Sequence, residues 1–175
     1  MEEKNPTRFY LELIAERYSS YPFQTKDLGE QMALVEEVIT GYWKPRFLID
    51  HRDGCAYEFM SKNEHLVTVT QDDIAWESLG RLPSKAIHRA YQLSCIYPLR
   101  IYKFENGIAE VLWQLIPEGQ YYMDETGYGM GDGEEINIYG FINRSGKVVV
   151  KFQAIDDFNV LKDLRIKAEE MVGFN

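Results

Sequence analysis

The chain has 175 residues, 45% of them hydrophobic and 14% aromatic, and its 28 Asp plus Glu outnumber 19 Lys plus Arg for a formal net charge of -9. That hydrophobic content excludes an intrinsically disordered chain, and the length fits a single globular domain over 1–175 whose core needs no disulfide or metal staple. The acidic balance argues against nucleic acid and anionic membrane as main partners.

The N-terminal Met1-Glu2-Glu3-Lys4-Asn5-Pro6 has neither a basic n-region nor an apolar h-region. No run approaches the roughly 18 apolar residues of a membrane helix. A cytoplasmic protein is expected. Cys55 and Cys95 form no CxxC pair and read as buried thiols, with a single disulfide as the alternative.

The first 40 residues predict two helices. Phe9, Leu13 and Ile14 take helical spacing over 7–18, and Ser19-Ser20-Tyr21-Pro22 ends that run. Asp27 offers an N-cap with Glu30 at capping-box spacing, and Leu28, Met32, Val35, Val38 and Ile39 supply an apolar stripe up to a stop at Gly41. From Pro45 the period becomes two. Residues 46–49 and 56–59 flank Arg52-Asp53-Gly54 as a hairpin, and 65–70 alternates as a third strand. Asp72 and Asp73 cap a short helical piece reaching Trp76, and Pro83 opens a helix with Ile87, Ala90, Tyr91 and Ser94 on one face.

Residues 100–105 and 108–116 are joined through Asn106-Gly107, the preferred type I′ hairpin dipeptide. A loop over 118–135 leads into a second hairpin, 136–143 with 147–152, across Arg144-Ser145-Gly146. Asn143-Arg144-Ser145 matches a glycosylation sequon but, without secretion, reads as that turn. Asp156 or Asp157 caps a closing helix carrying Leu161, Leu164, Ala168 and Met171. The expected fold is α+β. An antiparallel sheet of about six to seven strands is built from hairpins, with N-terminal helices, one mid-chain helix and a C-terminal helix packed on it. No βαβ unit with a Gly-rich phosphate turn occurs, which argues against a doubly wound nucleotide fold.

Phe104-Glu105-Asn106-Gly107-Ile108-Ala109-Glu110-Val111, followed later by Tyr139-Gly140-Phe141-Ile142-Asn143-Arg144-Ser145-Gly146-Lys147-Val148-Val149-Val150, resembles one WG repeat. This is a β-hairpin repeat of bacterial proteins, and Asp157-Phe158 is similar to the segment that follows it. Tyr139 stands where the family has Trp, an acidic insertion separates the halves, and one copy is present where repeat architectures stack about three. The resemblance implies a binding scaffold without catalytic residues.

Charge is unevenly placed. The loop 118–135 holds Glu118, Asp124, Glu125, Asp132, Glu134 and Glu135 with no Lys or Arg, and Gly127, Gly129, Gly131 and Gly133 alternate through it. Residues 78–104 hold Arg81, Lys85, Arg89, Arg100, Lys103 and His88 with no acid. Set against a calcium-binding EF-hand loop, Asp124, Gly129, Asp132 and Glu135 fall on the right positions. Thr126 and Tyr128 occupy ligand positions, however, and strands flank the loop, so no metal is expected. The same carboxylates would repel a phosphate from the loop glycines. A solvated loop is the plain reading. The functional one is partner recognition by Tyr121, Tyr122, Asp124, Glu125, Tyr128, Met130, Asp132, Glu134 and Glu135, because aromatic and Met side chains among charges suit a contact surface. Arg81, Lys85, His88 and Arg89 form an anion-binding candidate whose alternatives are a solvated helix face and a docking place for the acidic loop.

Catalytic signals are thin. His51, His65 and His88 sit in no nucleophile motif, and His51, Cys55 and His65 match no zinc spacing. Trp43, Trp76 and Trp113 read as core. The expected function is a non-catalytic, cofactor-free interaction module that binds and neutralises a basic protein through the acidic aromatic loop, by analogy with small immunity proteins. The alternative is a small-molecule binder or enzyme on a cone-shaped sheet similar to the nuclear-transport-factor-like fold. A deep apolar pocket with Asp50, His51 or Tyr102 converging on it would favour the alternative.

Overall fold

The computed structural model describes residues 23–39, 42–58, 71–81, 91–93, 98–117, 122–123, 129–130 and 135–174. Strands β1 (Phe23–Gly29), β2 (Met32–Ile39), β3 (Tyr42–Asp50) and β4 (Cys55–Glu58) form an antiparallel meander in that order. A second antiparallel sheet is built on a long strand. In chain order its members are β5 (Tyr91–Leu93), β6 (Arg100–Ile101), β7 (Ile108–Pro117), β10 (Ile136–Asn143) and β11 (Val148–Ala154), with a two-strand ladder of β8 (Tyr122–Met123) and β9 (Gly129–Met130) between β7 and β10. β7 pairs with β10 on one edge, while β5 and β6 share its other edge. Helix α1 (Phe158–Met171) follows, with the Asp157 carboxylate accepting the Asn159 N–H at 2.9 Å as its N-cap.

The α+β class and its antiparallel, hairpin-built character hold, but the strands of the described residues fall into two main sheets and the small β8–β9 ladder rather than one sheet. Both contribute to a common core. Leu28, Met32, Leu34 and Leu48 from the first sheet join Val111, Trp113, Leu115, Ile138 and Phe152 from the second. Trp113 meets Phe152 edge to face, with centroids 5.8 Å apart. Gly140 exists for the same ring: a Cβ there would lie 2.8–3.0 Å from three Phe152 ring carbons. The far face of the second sheet carries Ile108, Phe141 and Val150 against Leu164 and Ala168 of α1. The segment 71–81 lies along β11, where the Ala75 N–H donates to the Phe152 carbonyl at 2.8 Å and the Ser78 hydroxyl accepts the Ala154 N–H at 2.9 Å.

The predicted helix over 28–39 is instead the β1–β2 hairpin. Three sequence signals misled for physical reasons. Asp27 does cap a backbone N–H, but it is that of Gly29 at 2.8 Å, an Asx-type turn. Glu30 does reach a backbone, but the one of another hairpin 76 residues on. The apolar run fits a helix because β2 is buried on both faces: Met32 and Leu34 enter the common core, whereas Ala33 and Val35 pack with Phe47, Ile49 and Ala56. In the helix expected from Pro83, residues 91–93 are the strand β5, with Tyr91 opposite Pro117. The rest of that helix, the helix over 7–18 and the strand over 65–70 lie outside the described residues.

The remaining hairpins match expectation. Residues 47–50 and 55–58 pair across the Arg52-Asp53-Gly54 turn, and 136–143 pairs with 148–154 across Arg144-Ser145-Gly146. Asn106 and Gly107 have φ of 56° and 79°, as a type I′ turn requires.

Candidate functional site

Two grooves run along the seams between these elements, and each is organised by an arginine. The larger, about 730 Å³ and broadly open to solvent, lies where four turns and the end of α1 meet. Its floor is an ion-pair network. Arg144, from the β10–β11 turn, donates to both oxygens of Asp50 at the end of β3, through Nη2 at 2.7 Å and Nε at 2.8 Å. The Asp50 side chain is 5% exposed and that of Arg144 13%. The Arg52 N–H also donates to Asp50, at 3.0 Å, and Arg144 Nη2 donates to the Glu30 carbonyl at 2.8 Å.

Glu30, itself in the β1–β2 turn, carries the network to the fourth turn. Its carboxylate accepts the Asn106 and Gly107 N–H groups at 2.8 and 2.9 Å, and Asn106 Nδ2 donates to Glu169 of α1 at 3.0 Å. Glu30 and Gln31 have φ of 48° and 61°, so a turn made without glycine at its centre is pinned by the side chain of one of its own strained residues. The opposite wall is apolar, with Tyr57, Val149, Met171, Val172 and Phe174. Burial first, and a hydrogen bond with Cys55 second, push the Tyr57 hydroxyl pKa well above its usual value.

The smaller groove, about 380 Å³, sits between β1 and the 100–105 segment. Both sheets form its walls, joined there by the Phe104 N–H donating to the Leu28 carbonyl. Among the described residues, Lys26, Arg100, Lys103 and Arg165 line it with two carboxylates, Glu105 and Glu110. Arg100 lies 4.5 Å over the Tyr102 ring, and Arg165 lies 5.3 Å from the centre of the Phe141 ring. Arg165 stands 3.5 Å from Glu105 and 3.6 Å from Glu110, at the long end of ion pairing. Burial raises the Glu110 carboxyl above its ordinary pKa, although the charges of Arg165 and Arg100 pull it back.

The sequence-predicted partner site falls mostly outside the described residues, which hold only Tyr122, Met130 and Glu135 of it. Tyr122 and Met130 are opposed on the β8–β9 ladder, and Glu135 is exposed. The loop leaves Pro117 and re-enters at Ile136, the end of the β7–β10 pair opposite the large groove and about 30 Å of strand away. Of the predicted anion-binding set, Arg81 ends the 76–81 turn, and Lys85, His88 and Arg89 lie outside the described residues. Asp50 and Tyr102 belong to different grooves, and His51 stands exposed on the β3–β4 turn. Trp113 is core and Trp76 packs against it. Among the described residues, no group of three or more His, Cys, Asp or Glu could hold a metal, and no helix is long and apolar enough to cross a membrane.

Sequence reasoning missed Glu30, Arg144, Lys26 and Arg165 as site residues. Their only sequence signal was that a charge sat in a turn or on a helix face. The partners of Arg144 lie 94 and 114 residues away. No protein family, curated protein or solved structure matched this chain.

Proposed function

We propose that this protein is a non-catalytic interaction module that binds a basic protein partner through the acidic aromatic loop over 118–135, and that it neutralises that partner in the manner of small immunity proteins. One observation carries the reading: six carboxylates, three tyrosines and two methionines share an 18-residue stretch without a Lys or Arg. Such a surface steers a cationic partner by long-range attraction and then supplies apolar contact area. The frame supports it, since the loop is held at both ends by the paired strands β7 and β10, whose cores are fixed by Trp113, Leu115 and Ile138. The WG-like hairpin is, in this reading, the scaffold.

The larger groove fits this reading better than a catalytic one. Its one deeply buried acid, Asp50, is already engaged by Arg144 and Arg52, and so holds three turns together. Co-purification with the intact chain, with a chain lacking residues 120–133, and with a D124N/E125Q/D132N/E134Q/E135Q loop tests the proposal. A basic partner recovered by the intact chain alone is the expected outcome. Equal recovery by all three, or no partner at all, would remove the loop from the account.

A further inference from the structure

The smaller groove has no role in that reading, and its chemistry runs against the rest of the molecule. A chain with a net charge of -9 gathers four cations around two carboxylates in about 380 Å³. Both guanidiniums are oriented before any ligand arrives. The Tyr102 ring supports Arg100 from one face, and Phe141 does the same for Arg165. The forked N–H donors of a guanidinium suit oxyanions.

The internal anions do not satisfy these donors. Glu105 and Glu110 stand at 3.5 and 3.6 Å from Arg165, against about 2.7–2.9 Å for a good charge-assisted hydrogen bond. Arg165 Nη1 has no hydrogen-bond partner, which is also true of Arg144 Nη1, but Arg165 lacks the two short bonds to a carboxylate that Arg144 makes through Nε and Nη2. Glu105 is 72% exposed and free to swing away. The volume sits at the low end of the roughly 300–1,000 Å³ of small-molecule sites, too small for a folded segment. Four cations against two carboxylates leave two positive charges, which matches a dianion better than a single carboxylate.

We infer that this groove binds a small ligand bearing a phosphate or diphosphate group, with Arg100 and Arg165 taking its oxygens and Lys26 and Lys103 closing the charge around it. The walls come from both sheets, so a bound ligand bridges β1 and the 100–105 segment.

Inorganic pyrophosphate is the probe, with malonate as a carboxylate control. Titration followed by backbone amide NMR on the full chain should move the signals of 26–28 and 100–105, and malonate should move them less. R100Q and K103Q alter exposed side chains, and each should weaken pyrophosphate by at least about tenfold without changing the melting temperature. R165K keeps the charge and loses the forked donor, and it should weaken binding while leaving the fold intact. Shifts elsewhere on the molecule, no shifts at all, malonate binding as tightly as pyrophosphate, or variants binding like the parent would each overturn the inference. Phosphatidylglycerol vesicles form a second arm: binding to them in preference to soluble pyrophosphate would make the ligand a lipid surface and overturn the small-molecule assignment.

Discussion

Arg144 and Arg165 each face carboxylates at a seam between elements, yet they are held in opposite ways. Arg144 meets Asp50 through two hydrogen bonds of 2.7 and 2.8 Å, in a place where both side chains are nearly out of solvent. Arg165 is 28% exposed and approaches Glu105 and Glu110 no closer than 3.5 Å. A buried pair joined by two short hydrogen bonds has little left to offer a ligand and is costly to break, even though Arg144 Nη1 reaches Glu30 only at 3.7 Å. A guanidinium whose carboxylates stand at 3.5 Å or beyond is less tightly engaged by its own chain. The difference separates a clamp from a binding surface, although both are clusters of opposite charge.

The largest effect should come from breaking the clamp. R144M leaves Asp50 buried without its main cation and should lower unfolding stability by roughly 3–5 kcal/mol, whereas R165M should cost about 1 kcal/mol because its ion pairs are long and Glu105 is exposed. Urea unfolding of both variants checks the contrast, and equal losses would erase the distinction. The D50N/R144M double variant should recover a large part of the R144M loss, since no buried charge then remains unpaired.

A smaller change should separate stability from binding. G140A puts a Cβ 2.8–3.0 Å from the Phe152 ring in the common core, whereas the Phe141 ring beneath Arg165 packs in the separate cluster against α1. It should cost about 1–3 kcal/mol by overpacking and leave pyrophosphate affinity as in the parent. A fall in affinity that tracks stability would mean that the small groove has no rigidity of its own.

The same contrast explains what the sequence could and could not disclose. Hairpins with strong turn chemistry were legible: Asn106-Gly107, Arg52-Asp53-Gly54 and Arg144-Ser145-Gly146 all sit where predicted, as does the Asp157 cap. Local rules suffice when the signal and its use lie a few residues apart. They failed at 27–39 because each local signal was used elsewhere. The capping-box Glu30 serves the Asn106-Gly107 turn, and a strand buried on both faces lost its period of two. The grooves were illegible for a related reason. Arg100 and Lys103 were visible as members of a basic segment, but Lys26 and Arg165 come from 74 or more residues to one side and 62 or more to the other, and only the folded seam puts them together.

The finest test of the comparison lies in the carboxylates. Burial raises the Glu110 pKa in the folded chain, which means that the folded state holds that proton more tightly than the unfolded state does. The ionised carboxylate therefore opposes folding, and the parent loses stability as pH rises from the ordinary carboxylate range through the raised value. E110Q removes this penalty, so it should be slightly more stable than the parent at neutral pH. That advantage should shrink as pH falls through the folded pKa of Glu110 and vanish below the unfolded one. D50N should act in the reverse direction, lowering stability at neutral pH because Arg144 then has no anion to answer it. Thermal melts of both variants across this pH range decide the point. Opposite signs for E110Q and D50N at neutral pH are what a clamp and a ligand groove require, and a shared sign would mean that Glu110, like Asp50, is held as a structural anion.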